Sequence, residues 1–264
     1  MFRLYKDSKT LPIVDKNIKI TILVGISNFL SHTKVMWEKQ IKEFIKEYSD
    51  NKCYLLFMPS MEDKYEENIN SIHNMRKLLD GLEDQYVQLI EDTFIDIDDY
   101  RFIVTPLYTN FNSFGLAAKH KMLIKKLHPD FQNALYFQKN MEMDKITPDN
   151  IIVDFKYSLD FLTNNISKDK KNLILTIWSP LEVQEENETL SAYSSNSMKE
   201  FIKDRPEIEL WVSLNHPTYS DYTVGNTLIY NLPRDKEYRY DYDAQTKVLF
   251  YINEVKRTDE ETKN

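Results

Sequence analysis

Glycine is the scarcest informative residue, with four in 264, where an average chain carries about 7%. Loops that cradle phosphates or nucleotides need glycine where backbone must approach a ligand or take a positive φ. No glycine-rich loop exists here, so P-loop and dinucleotide-fold readings are excluded. Cysteine is scarcer still. Cys53 alone rules out an intrachain disulfide and fits a reducing compartment, so the expected location is cytoplasmic. It heads an apolar run and reads as a buried, inert thiol rather than a nucleophile. No apolar run approaches the ~20 residues of a membrane span. Behind its first charges the N-terminus carries no apolar h-region, so no signal peptide is expected. An excess of positive charge is also missing. The net charge of -8 is spread along the chain, which argues against nucleic acid as a partner. Among the five histidines there is no His-x-His or HExxH spacing, and no serine sits in a Gly-x-Ser-x-Gly elbow.

What is present can build a large core. At 42% hydrophobic and 13% aromatic, residues 1–264 read as a single domain without internal repeats. Residues 17–27 are apolar and β-branched, as in a buried strand. Ser31 or Thr33 then caps a helix bearing Trp37, Ile41, Phe44, Ile45 and Tyr48 at helical spacing. A second strand over 52–59 precedes a helix from Tyr65, with Ile69, Ile72, Met75, Leu78 and Leu79 on one face and Gly81 as its stop. Residues 86–109 read as a three-stranded meander with turns at 91–93 and 98–99. Part of 116–127 is helical. Thr147-Pro148 starts a helix that turns Ile152, Phe155, Leu159 and Leu162 inward. A buried strand over 173–178 ends at Pro180, and the polar, acidic stretch 182–197 reads as a solvated loop. A short helix from Ser197 and a strand over 208–212 follow. Residues 238–242, Tyr-Arg-Tyr-Asp-Tyr, read as a solvated turn rather than a protein-binding patch. A last strand over 247–253 leads into a frayed, charged tail, 254–264. Strands alternating with helices predict an α/β fold, a sheet sandwich between helical layers (α/β/β/α).

Two stretches carry a resemblance. The run Glu209-Leu-Trp-Val-Ser-Leu-Asn-His-Pro-Thr-Tyr-Ser-Asp-Tyr-Thr-Val-Gly-Asn-Thr-Leu-Ile-Tyr-Asn-Leu-Pro-Arg234 resembles the last signature block of the calcineurin-like metallophosphoesterases. In that family a strand ending Gly-His-x-His leads to a Tyr-x-Ile-Gly-x-Thr hairpin and an Asn-Pro-Arg turn. Residues 87–111, Val-Gln-Leu-Ile-Glu-Asp-Thr-Phe-Ile-Asp-Ile-Asp-Asp-Tyr-Arg-Phe-Ile-Val-Thr-Pro-Leu-Tyr-Thr-Asn-Phe, resemble its bacterial and phage branch. There a Leu-x-Asn/Asp-x-x-x-Glu-Ile-Asp-Gly meander precedes a strand ending Leu-Trp-Thr-Asp-Phe. The blocks keep their order over residues 18–253.

The resemblance implies a metallophosphoesterase-like four-layer fold. Active members hold two metals at strand ends, which clamp phosphate and activate a bridging water. Here the first block, Ser-Asp-x-His, is Ser27-Asn28-Phe29-Leu30. The second, Gly-Asp-x-x-Asp, is missing. The third, Pro-Gly-Asn-His-Asp/Glu, is Pro59-Ser60-Met61-Glu62-Asp63; the fourth, Thr-His-His-x-Pro, is Thr176-Ile177-Trp178-Ser179-Pro180. In the last, Ser213 and Asn215 stand for the two histidines, Leu214 for the glycine, and His216 follows. The expectation is therefore a pseudoenzyme without metal, binding a protein partner or small ligand in the ancestral cleft, with Trp178 at its mouth; whether Trp178 and Leu30 fill the cleft is for the structure to decide. The alternative is a divergent phosphoesterase for a phosphomonoester or phosphodiester, using Asp63 and His216 around one or two divalent metals such as Mn, Fe or Zn. A third reading is a subunit of a larger assembly.

Overall fold

The structure, a computed structural model, describes residues 2–6, 14–26, 37–82, 84–137, 143–233, 238–243 and 248–251. Asn28 and Leu30, the cap residues Ser31 and Thr33, and the tail 254–264 lie outside the described residues. Two compact units divide the chain. One comprises residues 1–58, 74–89 and 236–264, the other 59–73 and 90–235.

The chain opens with β1 (Phe2–Lys6), β2 (Ile20–Val24), helix α1 (Trp37–Asp50) and β3 (Tyr54–Met58). Sequence patterning does not reveal β1, because Arg3 and Lys6 interrupt it. Phe2 and Leu4 are nonetheless buried. Arg3 is neutralised by a two-pronged pair with Asp241, Nε–Oδ1 and Nη2–Oδ2 each 2.7 Å. Burial opposes the charge on Arg3, but Asp241 outweighs it and raises the pKa. Every residue of β2 is buried, as the apolar run demands of an interior strand. Ile41, Phe44, Ile45 and Tyr48 on α1 pack with Leu55 and Phe57 of β3. Cys53 belongs to that core and is 1% exposed, and burial pushes its thiol pKa up.

Helix α2 (Ile69–Asp80) buries Ile69, Ile72, Met75 and Leu79, with Leu78 half-buried. Gly81 follows it, its N–H donating to the Lys77 carbonyl at 3.3 Å, without the positive φ of a left-handed cap. Then come β4 (Val87–Leu89), β5 (Thr93–Ile97) and β6 (Tyr100–Thr105). These three strands exist, but they form no single meander. β4 pairs in parallel with β3, whereas β5 and β6 form an antiparallel hairpin in another sheet. The short link resembles a hairpin turn in sequence, and partner choice is non-local.

Helix α3 (Ala117–Leu127), the short α4 (Asp130–Asn133) and the small β7 (Leu135–Phe137)–β8 (Met143–Lys145) pair precede α5 (Pro148–Asn165). Thr147 caps α5 in a capping box with Asn150, with Pro148 in the first turn. The buried stripe on α5 is Ile151, Phe155, Ser158 and Leu162. Ile152 and Leu159 are only half-buried, which rotates the inward face from the expected one. After β9 (Lys171–Thr176) the expected solvated loop contains helix α6 (Glu188–Ser194), capped by Asn187, with Thr189, Ser191, Ala192, Tyr193 and Ser194 buried. Its packed face is small and polar, so hydropathy does not mark it. Helix α7 (Lys199–Lys203), β10 (Ile208–His216), β11 (Ser220–Val224) and β12 (Thr227–Pro233) follow. Gly225, at φ 59°, turns β11 into β12. The chain then returns to the first unit as β13 (Tyr238–Asp243) and β14 (Val248–Tyr251). The expected turn at 238–242 is thus a strand. Tyr240 and Tyr242 are buried, because β13 pairs with β1 across its length.

The first unit's sheet has the order β14-β13-β1-β2-β3-β4, with β1, β2, β3 and β4 mutually parallel. The second unit's has the order β11-β12-β10-β9-β6-β5. Its inner strands β12, β10, β9 and β6 are parallel, with an antiparallel strand at each edge. Among the described residues no helix is long and apolar enough to cross a membrane.

Candidate functional site

Parallel strands deliver their C-terminal ends to one edge of a sheet, where α/β proteins place ligands. In the second unit these are the ends of β6, β9, β10 and β12. Past β9, the N–H groups of Ile177 and Trp178 both donate to the Pro106 carbonyl, at 3.1 and 3.3 Å. The Ile177 carbonyl in turn accepts from Leu214 (3.1 Å) and Asn215 (2.8 Å). Those two bonds hold the irregularity in β10, whose register against β12 shifts between Ser213 and His216. Past β6, Leu107 and Phe111 adopt positive φ (47° and 61°) although both are fully buried. A bulky side chain is rarely found there; in this glycine-poor chain the tertiary setting imposes the turn instead. Thr109 supports it, its Oγ1 donating to the Ala192 and Ser195 carbonyls and accepting from the Phe111 N–H.

Three of the sequence-matched positions, Ile177, Trp178 and Ser213, turn inward. Ile177 and Trp178 are 7% and 1% exposed. Trp178 packs on Tyr108 (ring centroids 4.7 Å) and edge-on to Tyr193 (5.8 Å). Its Nε1 is buried without a hydrogen-bond partner among the described residues. Ser213 donates to Asn231 Oδ1, and Ser179 reaches the same oxygen at 3.4 Å. Asn231 Nδ2 donates to Ser220 Oγ (3.1 Å) and Tyr222 Oη (2.9 Å). This buried amide thereby joins four hydroxyls into one neutral network. Burial raises the Tyr222 pKa against its bonds to Asn231 and Ser179. Asn215 is half-buried. His216 folds back on its own loop, with Nδ1 2.5 Å from the Thr218 carbonyl oxygen.

The third block lies in a 3-10 turn, Glu62–Lys64, with Met61 buried and Glu62 exposed. Asp63 is fully buried and accepts from the N–H (2.8 Å) and hydroxyl (3.3 Å) of Ser60, so its carboxylate closes its own turn. The neighbouring Lys64 donates to Tyr108 Oη at 2.7 Å. Burial opposes the charge on Lys64, but Tyr108 and Glu91 outweigh it and raise the pKa. The Tyr108 phenol is pushed up to about 12 by burial, against the pull of Lys64. Lys64 and Tyr108 thus connect the third block to Trp178 in the fourth.

Sequence reasoning missed three groups. Asn231 lies inside the quoted C-terminal run, opposite Ser213 and Ser220 in the strand registers, and that pairing is what could have exposed it. Asp130, 5% exposed, accepts from Tyr65 and Tyr193, each at 2.6 Å, with His128 Nδ1 3.2 Å away. Burial would raise its pKa, yet His128 and the two tyrosines outweigh burial and lower it. Nothing local signals that role. The third is Lys64, which reads as an ordinary surface charge.

The resemblance implies divalent metals at these strand ends. Among the described residues no three His, Cys, Asp or Glu side chains converge on a cation position. The described matched positions supply a thioether, an alkyl chain, an indole, a hydroxyl, an amide and the exposed Glu62 carboxylate, and the Asp63 carboxylate accepts from Ser60. Hard and borderline cations take carboxylate and imidazole. Among the described residues these donors do not gather into such a set.

The fold is mixed α/β, with parallel strands and flanking helices, consistent with a metallophosphoesterase-like fold. No protein-family model matches the chain, and no curated protein matches it. Among solved structures it is similar to the phosphopantetheinyl hydrolase PptH of Mycobacterium tuberculosis. Identity is 8% and the TM-score 0.53, over 94% of this chain and 95% of that one. That likeness concerns the fold alone. A Staphylococcus aureus protein named as a 5'-nucleotidase (9% identity, TM-score 0.38, 96% of this chain and 53% of that one) is more remote. So is the sulfate thiohydrolase SoxB of Thermus thermophilus (11%, 0.33, 88% and 37%). Neither carries weight at those scores.

Proposed function

We propose that this chain is a metallophosphoesterase-fold protein without hydrolytic activity, acting in the cytoplasm by binding a protein or small ligand. The observation that carries the reading is the fate of Trp178 and Ser213. Both stand where metal ligands belong by resemblance, and both are spent on the protein's own interior, in ring packing and in the Asn231 network. A phosphoesterase needs acceptors aimed outward at a cation; these groups face inward and are neutral. The rival site around Asp63 and His216 lacks support for the same reason, since Ser60 and Thr218 engage them. Neither nucleic acid nor membrane belongs to the proposal, given the net charge of -8.

Metal content of the purified protein and its action on bis-p-nitrophenyl phosphate, with and without added manganese, test this. The expected outcome is sub-stoichiometric metal and no turnover above buffer. One or two equivalents of manganese, iron or zinc, with turnover abolished by chelator, would overturn it.

A further inference from the structure

The second unit carries an open cleft of about 470 Å³ between α3 and α5, within the ~300–1,000 Å³ range of small-ligand sites. Its lining begins at Asn110, in the turn past β6, and includes none of Ile177, Trp178, Ser213 or Asn215. Ile152, Phe155 and Leu159 of α5 form one apolar side, and Ala117 and Ala118 of α3 the other. The half-buried state of Ile152 and Leu159 has its explanation here: the turn of α5 that exposes them gives the cleft its apolar surface. Lys121 and Lys156 add two ammonium groups, Asn110 and Asn112 two amides, and among the described residues no carboxylate lines the cleft.

The charge is selective. Helix α3 carries Lys119, Lys121, Lys125 and Lys126 and no acidic residue, in a protein of net charge -8. Lys156 has no ion-pair partner among the described residues. Lys121 pairs with Asp149 at 2.5 Å, but the Asp149 side chain is 78% exposed, and such surface pairs are weak enough for a ligand anion to displace. An apolar surface bordered by cations and amides fits one kind of occupant, a body of hydrocarbon or aromatic character ending in an anionic head.

We infer that the α3–α5 cleft binds a small amphipathic anion, its apolar body against Ile152 and Leu159 and its carboxylate or phosphate head between Lys121 and Lys156. The inference rests on the chain being a binding protein, yet it fails separately. Metal-dependent turnover would sink that reading, whereas the titration below reads only the cleft.

Calorimetric titration of the full chain with decanoate, below its micelle concentration, is the test. Decyl phosphate distinguishes the head group, and decanol and decyltrimethylammonium supply neutral and cationic heads. Saturable one-to-one binding of decanoate or decyl phosphate is expected, the tighter of the two naming the head. Decanol and decyltrimethylammonium should bind about tenfold weaker or less, since a charged head in contact with ammonium supplies roughly that ratio. Lys156→Glu, at an exposed position, should weaken the anions about tenfold. Ala118→Trp, also exposed, should fill the cleft and abolish binding with unchanged circular dichroism and Tm. Non-saturable uptake, cationic and anionic probes binding alike, or an Ala118→Trp protein that still binds would each overturn the inference.

Discussion

Two regions of the second unit face opposite ways. At the strand ends, Trp178, Ser213 and Asn231 are buried and engaged with one another or with neighbouring rings. Along the α3–α5 cleft, Lys156 stands exposed, without an ionic partner among the described residues, beside half-buried apolar side chains. The resemblance points to the first region as the place where chemistry happens, but its side chains are occupied in holding the sheet together. The second carries no motif, yet it leaves charge and apolar surface open to a ligand. A polar group spent on an internal hydrogen bond contributes stability and is lost to binding; an unspent one does the reverse.

The strongest way to break this contrast is Trp178→Ala. If Trp178 is packing rather than a binding platform, the cavity should destabilise the protein by about 4 kcal/mol, read as a lower urea midpoint. A midpoint close to that of the parent would make it a surface group. Asn231→Leu comes next, because it takes the partner from the buried Ser213 and from the half-buried Ser220 and Tyr222. Buried polar groups left unpaired cost about 1–3 kcal/mol each, so a loss of about 3 kcal/mol is expected in the same assay. Thr109→Val removes the hydroxyl that joins α6 to the turn at Phe111, and about 2 kcal/mol should go with it.

A pH titration sharpens the picture further. The folded-state pKa of Asp130 lies below the usual carboxylate value, so the unfolded chain takes up the proton first as pH falls. Its stabilisation is therefore present above about pH 4 and is lost as pH drops through the folded value. Asp130→Asn should flatten the acid limb of the stability–pH curve, and an unchanged slope would contradict the Tyr65–Asp130–Tyr193 arrangement. The smallest effect belongs to the cleft. Lys156→Ala should shift stability by no more than about 0.5 kcal/mol, whatever it does to ligand affinity.

Local signals made much of the architecture legible. The helix starting at Thr147-Pro148 is visible because cap and proline act within one turn. The hairpin of β11 and β12 is visible because Gly225 supplies its positive φ at the turn. Helix α6 was hidden by its buried threonine and serines, which read as solvated until Tyr193 and Ala192 pull them inside. β1 was hidden because Arg3 looks like surface until Asp241, far along the chain, neutralises it. The meander reading failed at β4, whose partner is β3.

At the site, the identities of Ile177, Trp178, Ser213 and Asn215 at the positions matched by resemblance could be read directly from the sequence. Their destinations could not. That Ser213 meets Asn231, that Trp178 meets Tyr108, and that Lys64 reaches Tyr108 each depend on partners from separate strands and turns.

By itself, then, the sequence determined where most strands and helices form, that the chain is poor in glycine, and which chemical groups stand at the positions matched by resemblance. Those properties follow from residue type and short-range spacing. Tertiary structure alone decided which strands pair, which face of α5 is left uncovered, and which polar groups are consumed by one another. Such outcomes depend on contacts between residues distant in the chain, which no local pattern encodes.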